Sequence, residues 1–137
     1  MVVRWPAEMK LLLDTHAVVW WLTDSPKLTH GARSAIASPT NDVYVSAASG
    51  WEIATKVRRG RWPEAAPLLV GLHALLAENR IAVLPIELGH AVRAGTLDGA
   101  HNDPFDRIIA AQALEQDELT LVTVDPVFGD FGVKTLW

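Results

Sequence analysis

Four short apolar runs, set apart by stretches of helical spacing, constrain this chain more than any other feature. They are Lys10-Leu-Leu-Leu-Asp14, Asp42-Val-Tyr-Val-Ser46, Ile81–Ile86 and Leu119–Val124. Runs this short with apolar interiors read as strands covered on both faces, the pattern of a parallel sheet. Between them the sequence predicts helices over Thr15–Leu22, Thr29–Ala37, a segment capped by Ser46 or Ser49 and running to about Arg59, Glu64–Asn79, and Glu87–Ala94. Gly60 stops the third of these. A further helix opens at Asp103-Pro104, with proline at the first helical position. Gly95–Asn102 reads as a polar loop, Asp125-Pro126 as a turn and Val133–Leu136 as a short last strand. Strands alternating with helices imply an α/β domain whose central, mostly parallel sheet of four to five strands is flanked by helices.

The 137 residues are half hydrophobic, enough for one domain with one sizeable core. Leu68, Leu69, Leu72, Leu75 and Leu76 belong to that core by default; a dimer face or a partner groove is the alternative. Met9 directly precedes the first strand, whereas residues 1–8 have no pattern of their own. The expectation is a loosely ordered or misannotated extension over 1–8 and a domain over 9–137. Met1–Lys10 lacks the apolar core of a signal peptide, and the longest uncharged stretch, Ala65–Ala77, is short for a bilayer and contains Pro67. A cytoplasmic protein without a membrane segment is expected. The absence of cysteine removes disulfides, thiolate metal sites and thiol nucleophiles together.

Four acids occupy positions where α/β enzymes place chemistry. Asp14 ends the first strand and Asp125 follows the last long one, and active sites of parallel sheets gather at carboxyl ends of strands. Glu52 and Asp106 lie in the first turns of two helices that could aim at the same edge. Gathered carboxylates repel one another, and a divalent cation with oxygen ligands resolves the conflict. Each acid also has a plainer reading. Asp14 could cap a helix, Asp103 could cap the helix that carries Asp106, Asp125-Pro126 could be an ordinary turn, and Glu52 could pair with Lys56. Spacing alone leaves these open, with a cap favoured for Asp103.

Other chemistries find less support. Ser46 and Ser49 lack a nucleophile-elbow motif, and the histidines lack metal-ligand spacing. Neither a P-loop nor a dinucleotide fingerprint occurs. The six tryptophans read first as core and surface anchors, and adjacent Trp20 and Trp21 cannot share one helix face. A net charge of −4 argues against non-specific coating of nucleic acid, but not against an enzyme with an acidic pocket and a basic rim.

Three segments and a fourth acid carry a family resemblance. Leu11-Leu-Leu-Asp-Thr-His-Ala-Val-Val-Trp-Trp-Leu22 resembles the opening of VapC-type PIN domains. Ser46-Ala-Ala-Ser-Gly-Trp-Glu-Ile-Ala-Thr-Lys56 and His101-Asn-Asp-Pro-Phe-Asp-Arg-Ile-Ile-Ala-Ala-Gln-Ala113 resemble their second and third motifs, and Leu121-Val-Thr-Val-Asp125 the fourth. The order is the family's, from Met9 to the C-terminus. Gly50, where a larger apolar residue is expected, and the leader before Met9 depart from it. The resemblance implies a PIN fold and a toxin that cleaves RNA endonucleolytically with Mg²⁺ or Mn²⁺. It implies inhibition by a VapB-type antitoxin and, commonly, a homodimer. It carries catalytic and metal roles onto Asp14, Asp106, Glu52 and Asp125, with Thr15 and Asp103 in support.

Under that resemblance Lys56, Arg58, Arg59, Arg61 and Arg107 become candidates for holding RNA phosphates, besides the plain reading of a solvated helix end. Two competitors remain: a PIN-fold RNA-binding module without turnover, and a phosphotransfer switch domain. The latter needs paired acids near the first strand and an Asp ending a central strand; here the third run ends Leu84-Pro85-Ile86.

Overall fold

A computed structural model describes residues 8–115 and 119–137. Residues 1–7 of the expected extension lie outside that description. Five parallel strands form one sheet: β1 (Lys10–Leu13), β2 (Asp42–Ser46), β3 (Ile81–Leu84), β4 (Leu119–Val122) and β5 (Thr135–Leu136), in the order β3-β2-β1-β4-β5. The central position of β1 explains its unbroken Leu-Leu-Leu. Successive side chains point to opposite faces, so both faces need apolar cover. Leu11 and Leu13 join one core with Val18, Val45, Ile53 and Leu76, while Leu12 joins a second with Ile109, Leu121 and Phe128.

Among the described residues seven α-helices frame the sheet: α1 (Thr15–Leu22), α2 (His30–Ala37), α3 (Ala47–Arg58), α4 (Leu72–Glu78), α5 (Leu88–Thr96), α6 (Pro104–Glu115) and α7 (Val127–Asp130). Sequence capping signals decide several starts. Asp14, Thr29 and Ser46 accept hydrogen bonds from the first-turn N–H groups of Ala17, Ala32 and Ala48. Ser46, rather than Ser49, is therefore the cap of α3.

The single helix expected over Glu64–Asn79 is instead two pieces, a 3-10 turn over Pro63–Leu69 and α4. Pro67 supplies no N–H for an interior helix, and Gly71 adopts a left-handed φ of 72°, which turns the chain before α4 begins. The leucine stripe nonetheless packs inward: Leu68 and Leu76 are buried, and Leu69, Leu72 and Leu75 lean on the same core. Pro85 follows the end of β3, two residues short of the expected run. The short α7 after Asp125-Pro126 had no sequence signal of its own. Among the described residues no helix is long and apolar enough to cross a membrane.

Candidate active site

From β1 the chain steps outward to β2 and β3, then returns to place β4 on the other side of β1. That reversal opens a crevice at the carboxyl ends of β1 and β4, the usual ligand position in such sheets. Asp14 leaves β1 there, and its N–H is bonded to the Val122 carbonyl of β4 at 3.1 Å. A cleft of about 390 Å³ follows, lined by Asp14, Thr15, His16, Trp20, Glu52, Lys56, Asp103, Asp106 and Asp125 among others. The four acids singled out in the sequence thus reach one cleft from four separate segments.

Asp14 is held from two sides. Its Oδ1 accepts the Ala17 N–H at 2.7 Å, and its Oδ2 accepts the Thr123 hydroxyl. The cap and the cleft position belong to one side chain and do not compete. Thr123 accepts the Asp125 N–H at 3.0 Å in return, linking the ends of β1 and β4. Asp125 also accepts the Val127 N–H at 3.0 Å, so it does serve a turn while facing the cleft.

Glu52 sits on the buried side of α3, only 4% exposed. Thr15 donates to its Oε1 at 2.5 Å, and Lys56 pairs with its Oε2 at 2.6 Å. The Thr15 hydroxyl has one proton and spends it on Glu52, so Ser49, 2.9 Å away, is the donor to Thr15. Asp106 opens α6, its N–H bonded to Asp103 Oδ1 at 3.0 Å and its Oδ2 2.8 Å from His101 Nε2. Asp103 is thus a helix cap that also lines the cleft.

Burial pushes Asp14 up to about 6, against the lowering effect of its bonds from Thr123 and Ala17; the charges of Glu52 and Asp125 add to the rise. Asp106 is likewise pushed up to about 6, first by burial and then by Asp103 and Glu52, while His101 works the other way. Burial and the Lys56 charge lower His16, whose ring packs beside Trp20 and Trp62 although the residue stays partly open to solvent. These carboxylates are therefore close enough to oppose one another's ionisation.

Among the described residues no group of three or more Asp, Glu or His side chains is arranged as a ready-made cation shell. The donor set still fits a hard divalent ion. All the donors are oxygen, the acids disfavour one another's charge, and Mg²⁺ usually takes one or two carboxylates with water completing its octahedron.

The basic residues divide. Lys56 and Arg61 line a groove that adjoins the cleft. Arg58 and Arg59 are exposed at the end of α3. Arg107, expected to hold RNA phosphate, has its guanidinium turned to protein carbonyls. Its guanidinium donates to the carbonyls of Ala94 (2.7 Å), Leu97 (2.5 Å) and His101 (2.8 Å), and lies over the Phe131 ring, so it braces the loop before α6. Sequence reasoning passed over Thr123, and weighed Ser49 and His101 only for other roles. For Thr123 a signal existed: a polar residue directly after an apolar strand and two places before an acid.

Comparison with known proteins agrees with this architecture. The PIN-domain family model matches residues 11–134. Ribonuclease VapC22 of Mycobacterium tuberculosis is 32% identical over 116 residues, covering 84% of this chain and 86% of that protein. Among solved structures, VapBC2 from Rickettsia felis bound to a DNA fragment from their promoter superposes with a TM-score of 0.66 at 18% identity, covering 93% of this chain and 98% of the matched one. VapBC-1 from nontypeable Haemophilus influenzae gives 0.60 at 19% identity, with 93% and 97% covered. At such identities the structures speak for the fold.

Proposed function

The chain belongs to the PIN-domain family, and from that premise we propose that it is a Mg²⁺- or Mn²⁺-dependent endoribonuclease, the toxin of a VapBC-type pair. The observation that carries the reading is the arrival of Asp14, Glu52, Asp106 and Asp125 in one cleft at the sheet's switch point. Similarity to Ribonuclease VapC22 supports the substrate class.

Asp14 and Asp106 are the first choice of metal ligands, then Glu52 and Asp125. Bound among them, the cation supplies charge neutralisation at the phosphodiester and an activated water. The protein's own part is orientation. Thr123 and the Ala17 N–H fix the Asp14 carboxylate, Thr15 and Lys56 fix Glu52, and His101 fixes Asp106. Lys56 offsets negative charge at the rim of the cleft. Lys56, Arg58, Arg59 and Arg61 supply the cations for the RNA backbone.

The reading includes a VapB-type antitoxin as partner, a proposal supported by two VapBC assemblies among the solved structures that share the fold. It includes a homodimer, supported by exposed Val83, Ile86, Leu88 and Val92 along edge strand β3 and the start of α5. The cytoplasm is its location. The test is incubation with total cellular RNA in Mg²⁺ or Mn²⁺ and mapping of the new ends, with Asp14→Asn and Asp106→Asn as controls. Equal cleavage by the controls rejects the assigned site. Metal binding with no cleavage of any RNA pool supports an RNA-binding module instead.

A further inference from the structure

Beside the acidic cleft lies a second depression of about 340 Å³, lined by His16, Trp20, Lys27, Lys56, Arg61, Trp62 and Glu64. His16, Trp20 and Lys56 line both, so the two are continuous. The volume falls within the roughly 300–1,000 Å³ of ligand pockets.

Its walls are not those of an ordinary apolar seam. The His16 ring centroid lies 4.9 Å from that of Trp62 and 5.5 Å from that of Trp20. Trp137 meets Trp20 edge-on, with ring centroids 5.7 Å apart, and so packs against the indole. Trp62 is buried as the base of the cluster, whereas Trp20 is only half-buried and keeps surface open. Around these rings stand three cations and one acid, in a chain whose net charge is −4. Lys27 Nζ lies 5.8 Å from the Trp20 ring centre, and Lys56 Nζ lies 5.5 Å from that of Trp62. Arg61 is exposed, and its side chain has no ion-pair or hydrogen-bond partner among the described residues.

A fixed aromatic surface edged by cations is the chemistry that holds unpaired nucleotides. The base stacks on the rings while the cations take the backbone phosphates. We propose that this groove is the subsite for the nucleotide flanking the scissile phosphate, with its base unpaired and stacked on Trp20 and His16, and its outer phosphate held by Lys27 and Arg61. The inference rests on the ribonuclease reading and deepens it: the enzyme selects RNA whose base beside the cut is unstacked, as in a loop or bulge. The tryptophan that the sequence presents as an anchor then serves substrate selection as well.

The test uses the full chain carrying Asp106→Asn, so that binding is read without cleavage. Fluorescence polarisation measures its affinity for a short single-stranded RNA and for a series in which one abasic residue is walked along the strand. The expected result is one position whose missing base weakens binding on the order of 10-fold, adjacent to the bond cut by the wild type. That loss should vanish when Trp20→Leu is added, because the stacking partner is already gone. Arg61→Ala and Lys27→Ala, both exposed and remote from the core, should weaken binding and flatten its salt dependence; they keep the test decisive if Trp20→Leu does not fold. Abasic and intact strands bound alike, or losses that simply add with Trp20→Leu, overturn the stacking. Unchanged affinity in the Arg61 and Lys27 variants overturns the groove as an RNA subsite and leaves it facing a protein partner. A wild type that cuts RNA while these arms fail removes the subsite alone. A wild type that cuts no RNA, but whose Asp106→Asn form still shows the abasic position, removes the turnover reading alone.

Discussion

The Thr123 hydroxyl donates to Asp14 Oδ2 while accepting the Asp125 N–H, so one side chain ties together the strand ends that supply two of the four acids. Thr123→Val keeps the shape and removes the donor. Asp14 then loses a bond that favours its charged form and should titrate higher than it does now. Cleavage should fall more at pH 6 than at pH 8, by about 5-fold at pH 6 if the lost bond is worth about 1.4 kcal/mol and so raises Asp14 by about one unit from about 6. A pH–rate profile reads this. A uniform loss across the profile would contradict the account.

The Lys56–Glu52 pair is unequal: the Glu52 side chain is 5% exposed and Lys56 33%. Removing the lysine leaves a buried carboxylate with Thr15 as its remaining donor. Lys56→Met should cost about 1–2 kcal/mol in denaturant unfolding, less than for a fully buried pair because the lysine reaches solvent. Saturating Mn²⁺ should restore part of it by supplying the missing positive charge. No recovery with metal would separate Glu52 from the cation site.

Asp14 and Asp106 are both raised to about 6 from an ordinary 3.8. The folded state therefore holds more protons than the unfolded chain between those values. Stability is present at and below about pH 4 and is lost as pH rises through 6. Lowered His16 acts in the opposite sense below its ordinary 6.5, so the useful quantity is a difference. In metal-free buffer, the gain in Tm from Asp14→Asn plus Asp106→Asn over the wild type should be larger at pH 7.5 than at pH 4.5. Scanning calorimetry with a chelator checks it. Adding Mn²⁺ should raise wild-type Tm more at pH 7.5 than at pH 5, where protons compete for the same oxygens.

Arg107 offers a sharp comparison between two substitutions. Its fork reaches the carbonyls of Ala94, Leu97 and His101, which a lysine's single ammonium cannot match. Arg107→Lys should destabilise the protein almost as much as Arg107→Ala, by about 2 kcal/mol. A charge that served only to bind phosphate would survive the lysine change with near-normal stability and RNA affinity. Thermal unfolding together with RNA binding distinguishes the two.

Much of the frame was legible because it follows from local rules. Leu11, Leu12 and Leu13 need cover on both faces, and only a central strand gives it; Asp14, Thr29 and Ser46 announce helix starts by chemistry alone. The break at Pro67 and Gly71 was present in the sequence, yet five leucines at helical spacing outweighed it, because those leucines do face the core across the break. The site was legible as acids at strand and helix ends, but not in its linkages. Thr123 meets Asp14 across 109 positions, and Arg107 turns toward a loop whose path depends on tertiary packing. The alternatives weighed for Asp14, Asp103 and Asp125 were not exclusive, since each bonds a backbone N–H and also lines the cleft.

The strand order has a consequence in time as well as in space. β4 is made after β2 and β3, yet it takes a place beside β1, which precedes them both. Until it docks, Asp14 lacks Thr123, and the crevice lacks the wall that ends in Asp125. A chain still being synthesised therefore carries the beginning of a nuclease without its cleft. The cleft closes only after Thr123, 109 positions beyond Asp14, has been made and β4 has docked, so a copy interrupted between the two is spared from acting.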